Sequence, residues 1–257
     1  MSETKSVAVK RNYKKQFHKS GRFSLEVNLR GFLCSCNNRE KDCVRESYNL
    51  LNKYADILYP KVEDKNENTE DISDDLASEI KNLKSEQKQY RFQQLESGAK
   101  NVLFVKTTLE NPVELAHKIM KEIHESKSHQ TRFLIRLVPI EVTCKANMKD
   151  IERAFQPLIE KYFQNEPVSF SIVYNHRNDK GLNRDDVIKC LGEMISKTNI
   201  DHKVSLKEAE FSVIVEVIRS FVFIGVVPDF IKYKKYNLLA VGDNPEVKEI
   251  NPPEENS

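Results

Sequence analysis

The 257-residue chain has only seven glycines, no tryptophan and no long apolar run. Its longest hydrophobic stretch, Phe221 to Val227, is the length of a strand, whereas a membrane helix needs roughly 18–20 apolar residues. We therefore expect no membrane partner. So few glycines exclude a collagen-like chain or a glycine-rich linker. The lysine-rich start of the sequence has no apolar segment, so we expect no secretory signal.

Nucleotide-binding and hydrolytic signatures are missing as well. The sequence contains no G-x-x-x-x-G-K-[ST] phosphate loop, no G-x-G-x-x-G turn, no H-E-x-x-H and no G-x-S-x-G. Scattered glycines cannot bring the backbone close to a pyrophosphate. Of six histidines, His117 and His124 lie seven apart on one predicted helix, which favours a solvated face over a metal site. We expect neither a cofactor nor a metal.

The five cysteines are an odd number, which favours free thiols in a reducing compartment. Cys34, Cys36 and Cys43 raise the alternative of zinc. However, C-x-C lacks the loop of two to four residues that usually wraps the metal, and no fourth ligand is evident. Buried thiols are therefore the preferred interpretation. Cys144 and Cys190 stand alone, and we do not expect either to be a nucleophile.

Charge is distributed unevenly along a chain whose net charge is only +2. Residues 1–22 contain seven basic side chains and one acid, whereas residues 60–79 contain eight acids and two lysines. Residues 243–257 are acidic again. The remaining body has a mild positive surplus, which suits a polyanionic ligand but is also ordinary for a protein surface. The basic arm, residues 1–23, is equally compatible with RNA contact, nuclear import or a solvated tail.

Hydrophobic periodicity divides the folded part into two α+β units. In the first, the pattern predicts alternating strands and helices around a disordered acidic insertion at about 60–79. The predicted elements are a strand at 29–36, helices at 44–58 and 76–97, a strand at 102–105, a helix at 113–123 and a strand at 133–137. This order is typical of a ferredoxin-like domain, which we place at residues 24–140.

The second unit, residues 141–236, has the same alternation and precedes an acidic tail at 237–257. The predicted elements are a helix at 148–162, a strand at 168–174, a helix from about 184 to 195 and strands at 211–218 and 221–227. Pro157 should kink or split the first helix. Asn183 occupies the N-cap position of the second helix. The last strand has no polar residue and should be central.

A basic, amide-rich loop joins the strand at 168–174 to the helix capped by Asn183. Its sequence, residues 175–187, is NHRNDKGLNRDDV. Backbone N–H groups at a helix N-terminus favour anions, and arginine matches phosphate geometry. Many surface loops share this composition, so the pattern indicates an anion site without specifying one.

This loop and the segments around it resemble a THUMP domain, an RNA-binding module of tRNA-modifying enzymes. Further segments narrow the resemblance to the eukaryotic THUMP-domain-containing adaptor of tRNA cytidine acetylation. Those segments are GFLCSCN at 31–37, RFQ at 91–93, ESGAKNV at 96–102, RLVPI at 136–140 and TCKA at 143–146, whereas HKVSL at 202–206 and FSVIVEV at 211–217 belong to the THUMP-like part itself.

The resemblance implies a non-catalytic protein whose partners are tRNA and an RNA cytidine acetyltransferase. Family members help that enzyme to form N4-acetylcytidine in the D-arm of serine and leucine tRNAs. The THUMP and ferredoxin-like domains grip the acceptor stem and its CCA end, and so position a distant base. We expect a nuclear or nucleolar location, and leave the cytoplasm open as a second one.

The candidate RNA contacts are the basic and amide side chains in the THUMP-like segments. They are Lys145, Arg177, Asn178, Asn183, Arg184 and Lys203. For each of them, a solvated surface residue is the alternative. Arg136 shares a strand with core residues, so it suits an interdomain hydrogen bond as well as a phosphate contact.

Two other function classes compete with the adaptor. A scaffold that binds no RNA would suit the acidic segments, which repel phosphate. A self-sufficient RNA-modifying enzyme would need a further catalytic domain of about 150 residues, whereas about twenty follow Tyr236. The adaptor is the preferred hypothesis, followed by the scaffold.

Overall fold

The computed structural model describes residues 25–60, 90–177 and 181–243. Four parts of the sequence lie outside the described residues: the predicted arm at 1–23, the acidic insertion beyond residue 60, the part of the predicted second helix before residue 90 and residues 244–257.

The described chain contains nine strands and five helices. The strands are β1 Gly31–Cys36, β2 Phe92–Glu96, β3 Val102–Thr107, β4 Leu134–Ile140, β5 Val142–Lys145, β6 Ser169–Arg177, β7 Lys203–Val204, β8 Phe211–Ile218 and β9 Phe221–Pro228. The helices are α1 Glu40–Leu58, α2 Pro112–Ser126, α3 Met148–Tyr162, α4 Arg184–Ser196 and α5 Leu238–Gly242.

The first sheet has four strands in the order β2-β3-β1-β4, and each neighbouring pair is antiparallel. Helices α1 and α2 cover one of its faces, because their apolar stripes are buried together with that face. The N-terminus of α2 is defined by Asn111, whose side chain accepts a hydrogen bond from the Glu114 amide, and by Pro112 in the first turn. The strands and helices predicted at 29–58 and 102–137 are confirmed.

The helix predicted at 76–97 is wrong in its described part, because Phe92–Glu96 form strand β2. This segment pairs antiparallel with β3, from Phe92 opposite Thr107 to Glu96 opposite Leu103. Phe92 packs its ring 6.2 Å from that of Phe32. Pairing with a sheet edge decides the conformation here, since the thin apolar pattern gave no strong preference for a helix.

The second sheet has five strands in the order β5-β9-β8-β6-β7. Strands β6, β7 and β8 run parallel, whereas β9 is antiparallel to both of its neighbours, β5 and β8. As predicted, β9 lies inside the sheet and is buried along most of its length. Pro157 lies within a single helix, α3, so it does not split that helix. The architecture is therefore mixed α and β with two sheets.

Each face of the second sheet has a different neighbour. Side chains alternate along a strand, so on β8 Val213, Val215 and Val217 pack under α3 and α4. Ile214 and Ile218 point the other way and belong to the core of the first sheet. The two sheets therefore share one continuous apolar layer.

The two sheets approach each other closely across this apolar layer. The rings of Phe104 and Phe223, one from each sheet, lie 5.1 Å apart. A Cβ at Gly225 would stand 2.4 Å from the backbone oxygen of Pro139. Only glycine permits β9 to lie so near β4.

Residues 237–242, within the range assigned to the acidic tail, fold against the first sheet. Asn237 caps α5 by accepting hydrogen bonds from Leu239 and Ala240 amides. Leu238 and Val241 are buried in the shared core. Across the described ranges, no helix is long and apolar enough to cross a membrane.

Gly225→Ala should lower the free energy of unfolding by about 1–3 kcal/mol, because the added methyl forces the two backbones apart. Gly192→Ala is the matched control. It lies within α4, where a Cβ meets only Ile172 at 3.9 Å, so the same methyl should raise stability by about 0.5–1 kcal/mol. Urea denaturation of both variants measures these changes. Equal effects would contradict the close approach.

Candidate nucleic-acid interface

The structure gathers two of the predicted RNA contacts at one end of the second sheet. Lys145 is the last residue of β5 and lies opposite Phe221, the first residue of β9. Arg177 is the last residue of β6 and lies beside Ile218, the last residue of β8. Both side chains are exposed. Alternation along the strands places both on the face that is turned toward the first sheet.

Arg219, which the sequence analysis missed, belongs to the same cluster. It begins the two-residue turn between β8 and β9, has a positive φ of 54°, and its amide donates to the Arg177 carbonyl over 3.0 Å. The signal was available in the sequence, since a two-residue link between adjacent strands must lie at the end of a sheet. Lys145, Arg177 and Arg219 are called the basic cluster below.

Two contacts hold the basic cluster in place. The Lys145 ammonium lies 3.9 Å from the centre of the Phe221 ring, a cation–π contact. The Arg219 side chain lies against Gly98, where a Cβ would be 2.9 Å from Arg219 Cδ. Gly98 lies between β2 and β3 and has a φ of +83°. The cluster is therefore bordered by residues of both sheets.

A partly buried carboxylate lies in the same layer as the arginines. Glu216 on β8 lies opposite Asn175 on β6, and Asn175 Nδ2 donates to Glu216 Oε1 over 2.7 Å. Burial raises the pKa of Glu216, while the Asn175 hydrogen bond and the charges of Arg177 and Arg136 lower it in part. Glu216 Oε2 is buried and has no hydrogen-bond partner within the described chain. This acid partly neutralises a surface that is otherwise positive.

The other predicted contacts lie elsewhere. Asn183 caps α4, because its side chain accepts a hydrogen bond from the Asp185 amide over 2.9 Å. Arg184 begins α4 on the opposite face of the sheet and pairs with Asp185 at 3.3 Å. Lys203 lies beside Ser169, at the start of β6, whereas Arg177 ends that strand. Nine residues of strand span roughly 26 Å, so Lys203 is remote from the cluster. Asn178 lies outside the described residues.

For Arg136 the sequence leaves two roles open, an interdomain hydrogen bond and a phosphate contact. In the structure Arg136 is exposed on β4, and its backbone forms an isolated bridge with Asn237. Its guanidinium charge acts on Glu216 across the layer between the two sheets. The arginine therefore contributes to the positive potential beside the basic cluster.

The surroundings of the cysteines indicate a structural role. All five are free thiols, and four are buried. Burial raises the pKa of Cys34 and of Cys144 to about 12, and burial together with Glu152 raises that of Cys190 to about 11. Thiols are nucleophilic as thiolates, so these environments disfavour reactivity. Among the described residues, no group of three or more histidine, cysteine or acidic side chains could hold a metal ion.

Comparison with known proteins identifies the module around the cluster. The sequence model of the THUMP domain family matches residues 145–227. This range begins at Lys145 and includes Arg177, Glu216 and Arg219. The module that contains the basic cluster is thus a THUMP domain.

Similarity to whole proteins extends over nearly the full chain. A THUMP domain-containing protein 1 homolog of Drosophila melanogaster is 39% identical, and the alignment covers 95% of this chain and 83% of that protein. THUMP domain-containing protein 1 of Homo sapiens is 36% identical, with 86% and 66% covered. The tRNA acetyltransferase TAN1 of Saccharomyces cerevisiae is 26% identical, with 88% of each chain covered. The chain belongs to the THUMP domain-containing protein 1 family.

Glu216→Gln should change how stability depends on pH. Because the raised pKa belongs to the folded state, the folded protein binds more protons than the unfolded chain between the two pKa values. The free energy of unfolding of the wild type should therefore lose a contribution as pH rises through this interval. Relative to the wild type, the glutamine variant should gain stability as pH rises above the ordinary pKa of a glutamate carboxyl. Denaturation at several pH values tests this, and a difference that is constant with pH would contradict it.

Proposed function

We propose that this protein is a non-catalytic tRNA-binding adaptor. In this proposal it grips the acceptor stem and CCA end and presents a D-arm cytidine of serine and leucine tRNAs to an RNA cytidine acetyltransferase, which forms N4-acetylcytidine. The observation that supports it most directly is the basic cluster, which occupies one end of the sheet within the THUMP domain. Its three cations lie at the same end of the sheet on three separate chain segments, β5, β6 and the β8–β9 turn.

The chemistry of the cluster suits the end of an RNA strand. Arginine guanidinium groups donate bidentate hydrogen bonds to phosphate oxygens. Lys145 adds a point charge, and the neighbouring Phe221 is partly exposed. Phosphate contacts position a nucleic acid without specifying its sequence, which is what an adaptor for more than one tRNA requires.

The acetyl transfer is assigned to the partner, although the yeast relative is named an acetyltransferase. Support comes from the environments of the cysteines, whose raised pKa values disfavour nucleophilic thiolates. An adaptor accelerates such a reaction by holding substrate and catalyst together, which raises their effective concentration and lowers the orientational cost.

We further propose that the part of the chain before the THUMP domain is a ferredoxin-like domain at residues 24–140, and that residues 141–236 form the THUMP unit. The strand order β2-β3-β1-β4, with its antiparallel pairs and intervening helices, supports the first assignment. A nuclear or nucleolar location belongs to the same proposal, since it follows from the family resemblance.

Binding of a serine tRNA, with and without its CCA end and at two salt concentrations, tests the adaptor function. We expect salt-sensitive binding that weakens when the CCA end is removed. Arg177→Gln, Lys145→Gln and Arg219→Gln should each weaken binding and reduce the slope of log Kd against log salt by about one. Lys203→Gln should have a smaller effect, because Lys203 lies far from the cluster.

Lys197→Gln is the matched control, since Lys197 is exposed at the C-terminal end of α4, on the opposite face of the second sheet. Binding that ignores the CCA end, or that responds equally to Lys197→Gln and Arg177→Gln, would refute the proposed grip. The scaffold hypothesis would then take its place.

A further inference from the structure

A second group of positive charges lies at the other end of β9. After Pro228 the chain forms a loop, residues 229–237, that packs against the C-terminal end of α2. Both segments carry exposed lysines. They are Lys127, Lys232, Lys234 and Lys235, called the lysine patch below.

Several contacts define the geometry of the lysine patch. Lys127 Nζ lies 3.1 Å from His124 Nδ1. The rings of His124 and Tyr233 meet edge to face at 5.7 Å, and the Lys232 ammonium lies 5.2 Å from the Tyr233 ring centre. Burial lowers the pKa of His124, and the charges of Lys127, Lys232 and Lys234 lower it further. The lysines therefore converge in space from two elements.

The backbone of the patch is strained in a way that glycine would relieve. Lys127, Lys234 and Lys235 have φ values of 48°, 51° and 60°, and Tyr236 follows at 54°. Such left-handed conformations are unfavourable for a residue with a Cβ. Lysine therefore occupies three positions where glycine or asparagine would be less costly.

The loop is nevertheless held firmly in this conformation. Tyr233 and Tyr236 are buried, and Tyr236 donates a hydrogen bond to the Pro228 carbonyl over 3.1 Å. The Lys235 amide donates to the Phe230 carbonyl over 2.7 Å. The aromatic side chains fix the loop from inside and leave the lysine side chains outside.

Acids near the patch neutralise it only in part. Asp229 pairs with Lys232 at 3.7 Å and with His117 at 3.2 Å, and Glu125 pairs with Lys121 at 4.0 Å. Within the described ranges, Lys234 and Lys235 make no side-chain hydrogen bond or ion pair, and Lys127 contacts only His124. Lys127 is the left-handed C-cap of α2, so its backbone conformation has a structural role. The unpaired ammonium groups of Lys234 and Lys235, on a left-handed backbone, require another explanation than stability.

We propose that the lysine patch is a second RNA-binding surface, which contacts the phosphate backbone at a distance from the basic cluster. The ligand class follows from the composition. The aromatic residues of the loop are buried, and the exposed groups are ammonium ions. Protein interfaces are depleted in lysine and enriched in exposed aromatics, whereas phosphate contacts require only positive charge.

The two surfaces lie at opposite ends of β9, whose eight residues span roughly 25 Å. A nucleic acid that reached both would extend over about seven steps at about 3.4 Å each. The patch therefore suits a stem rather than the terminal nucleotides alone. The proposal rests on the proposed function, because it takes RNA as the anion.

The test is the double variant Lys234→Asn/Lys235→Asn. Asparagine tolerates left-handed backbone better than other residues with a Cβ, so the loop should keep its conformation and its stability. We expect weaker binding of a serine tRNA transcript and a salt slope that falls by about two. The control Lys189→Gln/Lys197→Gln removes the same charge from exposed sites on α4 and at its C-terminal end.

A salt slope equal to that of the control would overturn the proposal. A loss of binding to a polyglutamate peptide with unchanged tRNA binding would also overturn it, and would assign the patch to an acidic protein. The proposed function fails separately. Suppose that removal of the CCA end and Arg177→Gln both leave binding unchanged, while the asparagine variant still lowers the salt slope. The lysine patch is then supported as an RNA-binding surface, and the proposed grip on the acceptor end is refuted.

Discussion

The contact between the two sheets is the constraint on which the rest of the molecule depends. At Gly225, strand β9 lies so close to β4 that no side chain fits between them. The rings of Phe104 and Phe223, which meet at a tilt of 60°, continue this contact. Because the sheets share one apolar layer, one face of the second sheet is turned toward the first along its length. Lys145 and Arg177 lie on that face, so the same packing determines the position of the basic cluster.

Electrostatics at the cluster are a balance between opposed charges. Glu216 lies partly buried beside Arg177, and its unpaired oxygen makes the ionised form costly. The arginines reduce this cost, and the acid in turn holds the local positive potential below what the cations alone would produce. In the proposed RNA complex, a phosphate group replaces the weak interaction between the arginines and Glu216 with a stronger interaction between the arginines and the RNA. Recognition then depends on the difference between the two interactions.

Much of the fold follows from the sequence because the periodic segments are long and strongly patterned. The alternation of side-chain character in β8 and the apolar run of β9 are visible in the sequence. The sequence pattern of strand β2 favours a helix only weakly, so its pairing with the adjacent strand β3 decides its conformation. Arg219 could have been found from its turn position. The separation of Lys203 from Arg177 could not, since it depends on the register between β6 and β7. The positive φ angles of Lys127, Lys234 and Lys235 could not be predicted either, because composition does not reveal a backbone conformation.

The contact between Arg219 and Gly98 has a consequence for how sequence variation in this protein is interpreted. Gly98 lies in the connection between β2 and β3, outside the residues matched by the THUMP family model, yet any larger residue there meets the Arg219 side chain at 2.9 Å. A variant at this position would displace a cation of the basic cluster without being part of that cluster. Its phenotype would resemble a defect in the THUMP domain while its location suggested a folding defect. Genetic data would therefore assign residues to the wrong module unless this contact is considered.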